Sequence, residues 1–306
     1  MNALTAIRSD PGLEKYLARL EARLETAVAS HPGVLAEVGK ESLKAGGKRL
    51  RPALTYLSAV PSQRSGDTCL IAGVAVELIH MATLVHDDML DGADLRRGQP
   101  TIWVAHGRET AKAAGDYLFA LAFAELGRLG DLEAIRALSG ATLSLARGEA
   151  LQRRQAFRAD TSVEDYMLRA SLKTGKLFEA SCRLGGGDVR MGEFGLALGV
   201  AFQIADDILD CSGDFDTTGK AAGVDLRDGT PTLPLILASR TDQEVARALS
   251  GEHVPDALER VAASGALEKS REVARSYATS AREKLADAAD VDALYALTYA
   301  VVDREG

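Results

Sequence analysis

Apolar residues recur along this chain three and four apart for most of its length, and no run of note alternates with the two-residue period of a strand. The first stripe, Leu13, Tyr16, Leu17, Leu20 and Leu24, predicts a helix over 13–29 that His31-Pro32-Gly33 ends. A second helix reaches to about Lys44, and residues 45–52, AGGKRLRP, read as a loop. A helix over 52–60 and a loop over 61–66 lead into a long helix over 67–91. Val74, Leu78, Met81 and Val85 form its core stripe, while Glu77, His80, Leu84, Asp87 and Asp91 share the neighbouring one. Gly92–Pro100 is expected to be a loop, followed by helices over 103–128, 131–155, 162–184 and 189–212. Ser162, three residues before Asp165, gives a capping-box start to one of them. Residues 214–228 form a Gly- and Asp-rich loop holding Lys220, and 229–234 turn into a helix from about Leu235. Amphipathic helix with a break near 264 makes up the rest, and no linker interrupts it, so a single domain over 1–306 is expected.

Composition narrows the class. Apolar residues make up 46% of the chain and aromatics only 5%, with Ala and Leu abundant, which suits an all-α protein. A net charge of -8 argues against a nucleic-acid or anionic-membrane surface, either of which calls for a basic face. Cys69, Cys182 and Cys211 lack metal-ligand spacing and read as small buried residues of a reducing compartment. No signal-like start and no uninterrupted apolar run of about 18 residues is present, so a cytoplasmic protein without a transmembrane segment is expected.

The chemistry concentrates at the ends of two apolar helices. Asp87 and Asp91 fall one above the other on a helix face with Asp88 beside them, and Asp206, Asp207 and Asp210 repeat the DDxxD spacing. Carboxylates so crowded need a compensating cation, and two sets followed by basic residues suit magnesium clamped between carboxylates and phosphate oxygens. Two glycines before Lys48 and Arg51 can bring backbone N–H groups and cations to an anion. His80 points the same way as the first aspartates, two turns below, and Lys173 sits mid-helix in an apolar frame where a lysine needs a reason.

Six segments together resemble the polyprenyl synthetase family, the trans-isoprenyl diphosphate synthases. They are GGKRLRP (46–52), HDDMLDGADLRRGQPT (86–101), GEALQ (148–152), KTGKLFEA (173–180), FQIADDILD (202–210) and GKAAGVDLRDGTPTLP (219–234). The resemblance spans nearly the whole chain and implies an all-α bundle around a deep central cavity, usually a homodimer. It implies that Asp87, Asp91 and Asp206, helped by Asp88 and Asp210, hold about three Mg²⁺ ions on an allylic diphosphate. Arg96, Lys173 and Lys220 would bind that diphosphate, with Thr174 and Gln203 beside the reacting carbons. Lys48, Arg51, His80 and Arg97 would hold isopentenyl diphosphate. One departure is Thr230-Pro231, where many relatives carry Lys.

The family also sets expectations for product length. Bulky residues four and five positions before the first aspartate stop growth early, and here those positions are Thr83 and Ala82, both small. With roughly 5 Å per helical turn, the apolar helix below Asp87 provides on the order of four turns of wall. A medium or long product follows, geranylgeranyl or longer, with Val76, Ile79, Phe119 and Phe123 as candidates for the floor. A product that greasy calls for a lipid surface or a carrier at release. Two other readings compete: a terpene cyclase, which normally carries Ser or Thr where this chain has Asp210, and a non-catalytic subunit of a heteromeric synthase, which tends to lose aspartates or cationic anchors.

Overall fold

A computed structural model describes residues 11–62, 66–212 and 223–302. Lys220 and most of the loop expected around it lie outside these residues. The described chain is helical apart from one two-stranded hairpin. Helices α1 (Pro11–Val28), α2 (Val34–Lys44), α3 (Leu50–Ala59) and α4 (Gly66–Asp91) come first. Strands β1 (Leu95–Arg96) and β2 (Gln99–Pro100) follow, then α5 (Ile102–His106), α6 (Arg108–Gly127), α7 (Leu132–Gln155) and α8 (Val163–Ala170). The second half holds α9 (Lys176–Gly186), α10 (Val189–Ser212), α11 (Val224–Arg227), α12 (Leu233–Ser239), α13 (Gln243–Leu249), α14 (Ala257–Ala263), α15 (Ala266–Lys284) and α16 (Asp292–Val302).

Packing follows the apolar stripes. Helix α4 lies along α6, α3 against α9, and α10 between α9 and α15. Leu78, Ile79, Leu118 and Leu126 are wholly buried, each burial contributing about 1.5–3 kcal/mol. Helix α10 feeds two apolar clusters, with Leu198 and Ala201 in one and Ile204 and Ile208 in the other. By length and composition α4 could cross a membrane, but 67% of its most apolar window is buried in the bundle, so its apolarity is spent on the core. All three cysteines are buried, and none is in a disulfide.

Three expectations need correcting. The helix expected over 103–128 breaks at Gly107, whose φ of 84° favours glycine, and continues as α6. Within the expected loop 92–100, Arg96 pairs with Gln99 across Arg97-Gly98. Both turn residues have positive φ (52° and 77°), the conformation a tight two-residue hairpin requires. Residues 162–184 are not one α-helix: Ser171–Gly175 widen into a π turn between α8 and α9. Such bulges occur frequently at functional sites, and this one carries Lys173 and Thr174.

Close approaches at two glycines set that turn in place. A Cβ on Gly148 of α7 would lie 2.8 Å from the backbone nitrogen of Lys173. A Cβ on Gly199 of α10 would lie 2.8 Å from Cα of Gly175. Any larger residue would push α7 and α10 off the π turn, and with them the groups that meet Lys173 and Thr174.

Candidate active site

The first acidic set closes the C-terminal end of α4. Asp87 is pushed up to about 6, chiefly by burial and also by Glu149 and Asp91; Lys173, whose Nζ stands 3.9 Å away, pulls the other way. Lys173 donates to Glu149 (2.6 Å) and Gln152 (3.2 Å), so the GEALQ segment is what holds this buried lysine. Burial works against its charge, but Asp87 and Glu149 outweigh that and raise its pKa. Asp91 accepts from Arg153, which also donates to Glu149 at 2.8 Å. Asp88 points inward, is buried, and is gripped by Arg96 through Nε at 2.8 Å and through Nη2. These two residues, expected on metal and on diphosphate respectively, meet each other here.

The second set lies on α10. Asp206 is exposed toward the cavity, whereas Asp207 is buried. Asp207 accepts from the Tyr166 hydroxyl (2.6 Å) and from Gln203 Nε2 (2.7 Å), and burial pushes it up to about 7. The Thr174 hydroxyl donates to Oε1 of Gln203 at 2.5 Å, joining the π turn to α10. Asp210 accepts from the backbone N–H groups of Val224 (3.2 Å) and Asp225 (3.0 Å), fixing the start of α11. Asp225 is itself held well above the usual carboxylate range by burial and by Asp207 and Asp210. Arg169 donates to the Pro231 carbonyl at 2.7 Å, tying down the segment that departs from the family pattern.

A cavity of about 900 Å³ brings one residue of each set, Asp88 and Asp206, up to the basic loop, while Asp87, Asp91, Lys173, Thr174 and Gln203 are not in its wall. Lys48, Arg51, His80 and Arg97, drawn from three distant segments, all line it, as do Asp88, Arg96, Asp206 and Phe202. Arg51 is brought down to about 10 by burial, its Nε has no hydrogen-bond partner, and its guanidinium lies 5.0 Å from the Phe178 ring centroid. Burial, then Arg51 and Arg96, hold His80 well below its ordinary value, so it is neutral near pH 7. Arg97 anchors on the carbonyls of Ala45 and Gly46. Cationic walls with an unsatisfied donor describe a grip for a multiply charged anion.

The chain-length residues lie outside the wall of this cavity. Ala82 is fully buried, Thr83 is half-buried with its hydroxyl on the His80 carbonyl, and half-buried Phe119 packs on His86 with ring centroids 5.6 Å apart.

The donor set fits a divalent metal. Among the described residues no three His, Cys, Asp or Glu side chains close around one point. Hard carboxylate oxygens such as those of Asp87, Asp91 and Asp206 are the donor type a divalent cation takes, and an ion held by so few of them would need further oxygens from a phosphorylated substrate or water. The destabilised charge on Asp87 is the kind a bound cation relieves.

Sequence reasoning missed several members of the site. Arg49, Glu77, Arg153, Tyr166 and Asp225 all interact with residues it named or with one another. Arg49 and Glu77 did carry a signal, since one lies inside GGKRLRP and the other on the His80 stripe. Tyr166 meets Asp207 across 41 residues, a partnership that periodicity does not encode.

The family model of polyprenyl synthetase matches residues 32–263. Heptaprenyl diphosphate synthase component 2 of Geobacillus stearothermophilus is 39% identical over 88% of this chain and 87% of that protein. Nonaprenyl diphosphate synthase of Mycobacterium tuberculosis is 37% identical over 95% of this chain and 92% of its own length. The crystal structure of a polyprenyl synthase from Caulobacter crescentus, complexed with calcium and isoprenyl diphosphate, superposes with a TM-score of 0.90 at 33% identity, covering 96% of both chains. Six motifs in order, a helical bundle with Asp88 of one acidic set and Asp206 of the other in the wall of one cavity, and these likenesses agree: the chain belongs to the polyprenyl synthetase family.

Proposed function

We propose that this chain condenses isopentenyl diphosphate head to tail with an allylic prenyl diphosphate, giving a trans polyprenyl diphosphate longer than the fifteen-carbon farnesyl product. The observation that carries this reading is the shared cavity, with Lys48, Arg51, His80 and Arg97 on one side and Asp88 and Asp206 on the other. Asp87, Asp91 and Asp206 would hold about three Mg²⁺ ions, whose charge, when bound, neutralises the allylic diphosphate as a leaving group. Asp88 and Asp210 stand a step back, orienting Arg96 and the start of α11.

Lys173 and Lys220 complete the grip on the leaving diphosphate. The allylic C–O bond breaks and its electron pair departs with the diphosphate. The double bond of isopentenyl diphosphate then attacks the allylic carbon, and a proton passes from the new adduct to the departing diphosphate. Thr174 and Gln203, hydrogen-bonded to each other, flank the carbons that carry the positive charge. Neutral His80 holds the second diphosphate without competing for that proton.

The protein alone, given Mg²⁺, farnesyl diphosphate and labelled isopentenyl diphosphate, should yield an elongated linear diphosphate. A cyclic hydrocarbon would mean a cyclase. Silence, with activity restored only by a second protein, would support a subunit role, which the name "component 2" of the Geobacillus relative brings into view. We place the active form as a cytoplasmic homodimer that meets a lipid surface at product release.

Although Ala82 and Thr83 lie outside the cavity wall, their small side chains would let a growing tail open a path past them toward a long product. Ala82→Phe is expected to shorten it by one or more isoprene units in an extended assay sized by chromatography. Because Ala82 is fully buried, the same change should lower the thermal midpoint, an overpacking cost of about 1–3 kcal/mol. Unchanged product length would count against this placement of the shaft.

A further inference from the structure

The buried carboxylate of Glu77 has no part in the reaction above, yet it stands in the wall of the isopentenyl diphosphate pocket. An anion site seldom keeps a carboxylate in its wall, so its partners matter. Its Oε1 accepts from Arg49 Nη1 at 2.8 Å, and its Oε2 is fully buried with no hydrogen-bond partner. Arg49 in turn donates through Nε (2.6 Å) and Nη2 (3.2 Å) to Glu21 on α1. Its guanidinium is thus committed to two carboxylates and is not available as an anion ligand.

The backbone makes the purpose clear. Arg49 has φ 49°, a left-handed conformation that a non-glycine residue adopts only when its surroundings enforce it. Directly before it is Lys48 and two residues after it is Arg51, both lining the cavity. The Glu77–Arg49–Glu21 clamp is what enforces that turn. Arg51, with its own unpartnered and buried Nε, feels the Glu77 charge as the largest influence opposing its desolvation.

We propose that Glu77 is a positioning residue for the isopentenyl diphosphate grip: by fixing Arg49 in its strained turn, it aims Lys48 and Arg51 into the cavity. The inference rests on the prenyl-elongating reading above. It makes a prediction opposite in sign to simple electrostatics. Removing a negative charge from a cationic pocket would by itself tighten an incoming anion. Removing the clamp loosens the two ligands that meet it, and misplacement by about 1 Å is enough to cost up to about a hundredfold.

The test is steady-state kinetics of the full-length protein carrying Glu77→Gln, which keeps the side-chain shape. The expected result is a KM for isopentenyl diphosphate raised about tenfold, with the KM for the allylic diphosphate and kcat within about twofold of the unsubstituted protein. Glu77→Asp, which retains the charge, should recover part of the loss. A KM that falls or stays the same overturns the proposal, as does an equal rise for both diphosphates. Should Glu77→Gln fail to fold, Glu21→Gln at the half-exposed end of the clamp must give a smaller rise of the same kind, and no rise overturns the proposal. Elongation by the unsubstituted protein in the same assay separates the outcomes, because without it the functional reading fails and not merely the role of Glu77.

Discussion

Asp87→Asn is expected to lower kcat by about a thousandfold while leaving the KM for isopentenyl diphosphate within about twofold, because in the proposed reaction its charge acts on the allylic leaving group alone. Asp87 sits at the end of α4 with its carboxylate 3.9 Å from Lys173 Nζ. Its raised pKa, caused first by burial, shows that the free protein bears a cost for ionising it. Evolutionary bystanders rarely sit in such an environment; carboxylates poised to receive a cation do. Asparagine keeps the shape but supplies a neutral amide oxygen, a far weaker ligand for a hard divalent ion. The metal-free variant should be no less thermally stable than the parent, since the ill-solvated charge is gone. Initial rates at saturating magnesium decide the matter, and a kcat within about tenfold of the parent would remove Asp87 from the metal set.

Arg51→Gln should raise the KM for isopentenyl diphosphate by about a hundredfold, the scale expected when one side of a buried charged hydrogen-bonded contact is lost. The guanidinium is enclosed, its Nε is unpartnered, and burial already brings its pKa down to about 10. That cost is offset by Glu77 and Asp206, whose charges favour the protonated form. A diphosphate in the cavity supplies the missing acceptor. The neutral amide can neither attract the dianion nor offer a planar fork, so weak binding results even where packing survives. The effect should appear at subsaturating isopentenyl diphosphate and diminish as that substrate saturates. A KM within about threefold of the parent would show that Arg51 is not a ligand.

What the sequence disclosed and what it hid have a common physical explanation. Helical periodicity located nearly every long element, because burying one stripe is what stabilises a helix in a bundle. Lys48, Arg51, His80 and Arg97 were named from separate motifs, and one cavity collects them. Features governed by tertiary distance were not visible. The break at Gly107 lies in a run that looks helical throughout, and the π turn at Ser171–Gly175 depends on how closely α7 and α10 approach it. Asp88 and Arg96 read as two ligands until the hairpin turned one onto the other. Asp207 stood in the sequence only as part of the second DDxxD spacing, whereas in the bundle Tyr166 and Gln203 satisfy it. Arg49 was given no role from the sequence, and only its two carboxylate partners reveal a clamp.

The proposed division of labour between an acidic rim that needs metal and a basic pocket that does not is open to direct calorimetry. Titrating the protein with isopentenyl diphosphate and, separately, with a non-ionisable allylic diphosphate analogue, each in Mg²⁺ and in excess chelator, resolves the two grips. The proposed reaction predicts that isopentenyl diphosphate binds in both conditions with similar affinity, while the allylic analogue binds only with Mg²⁺. Tight binding of the allylic analogue in chelator, or loss of isopentenyl diphosphate binding there, would contradict it.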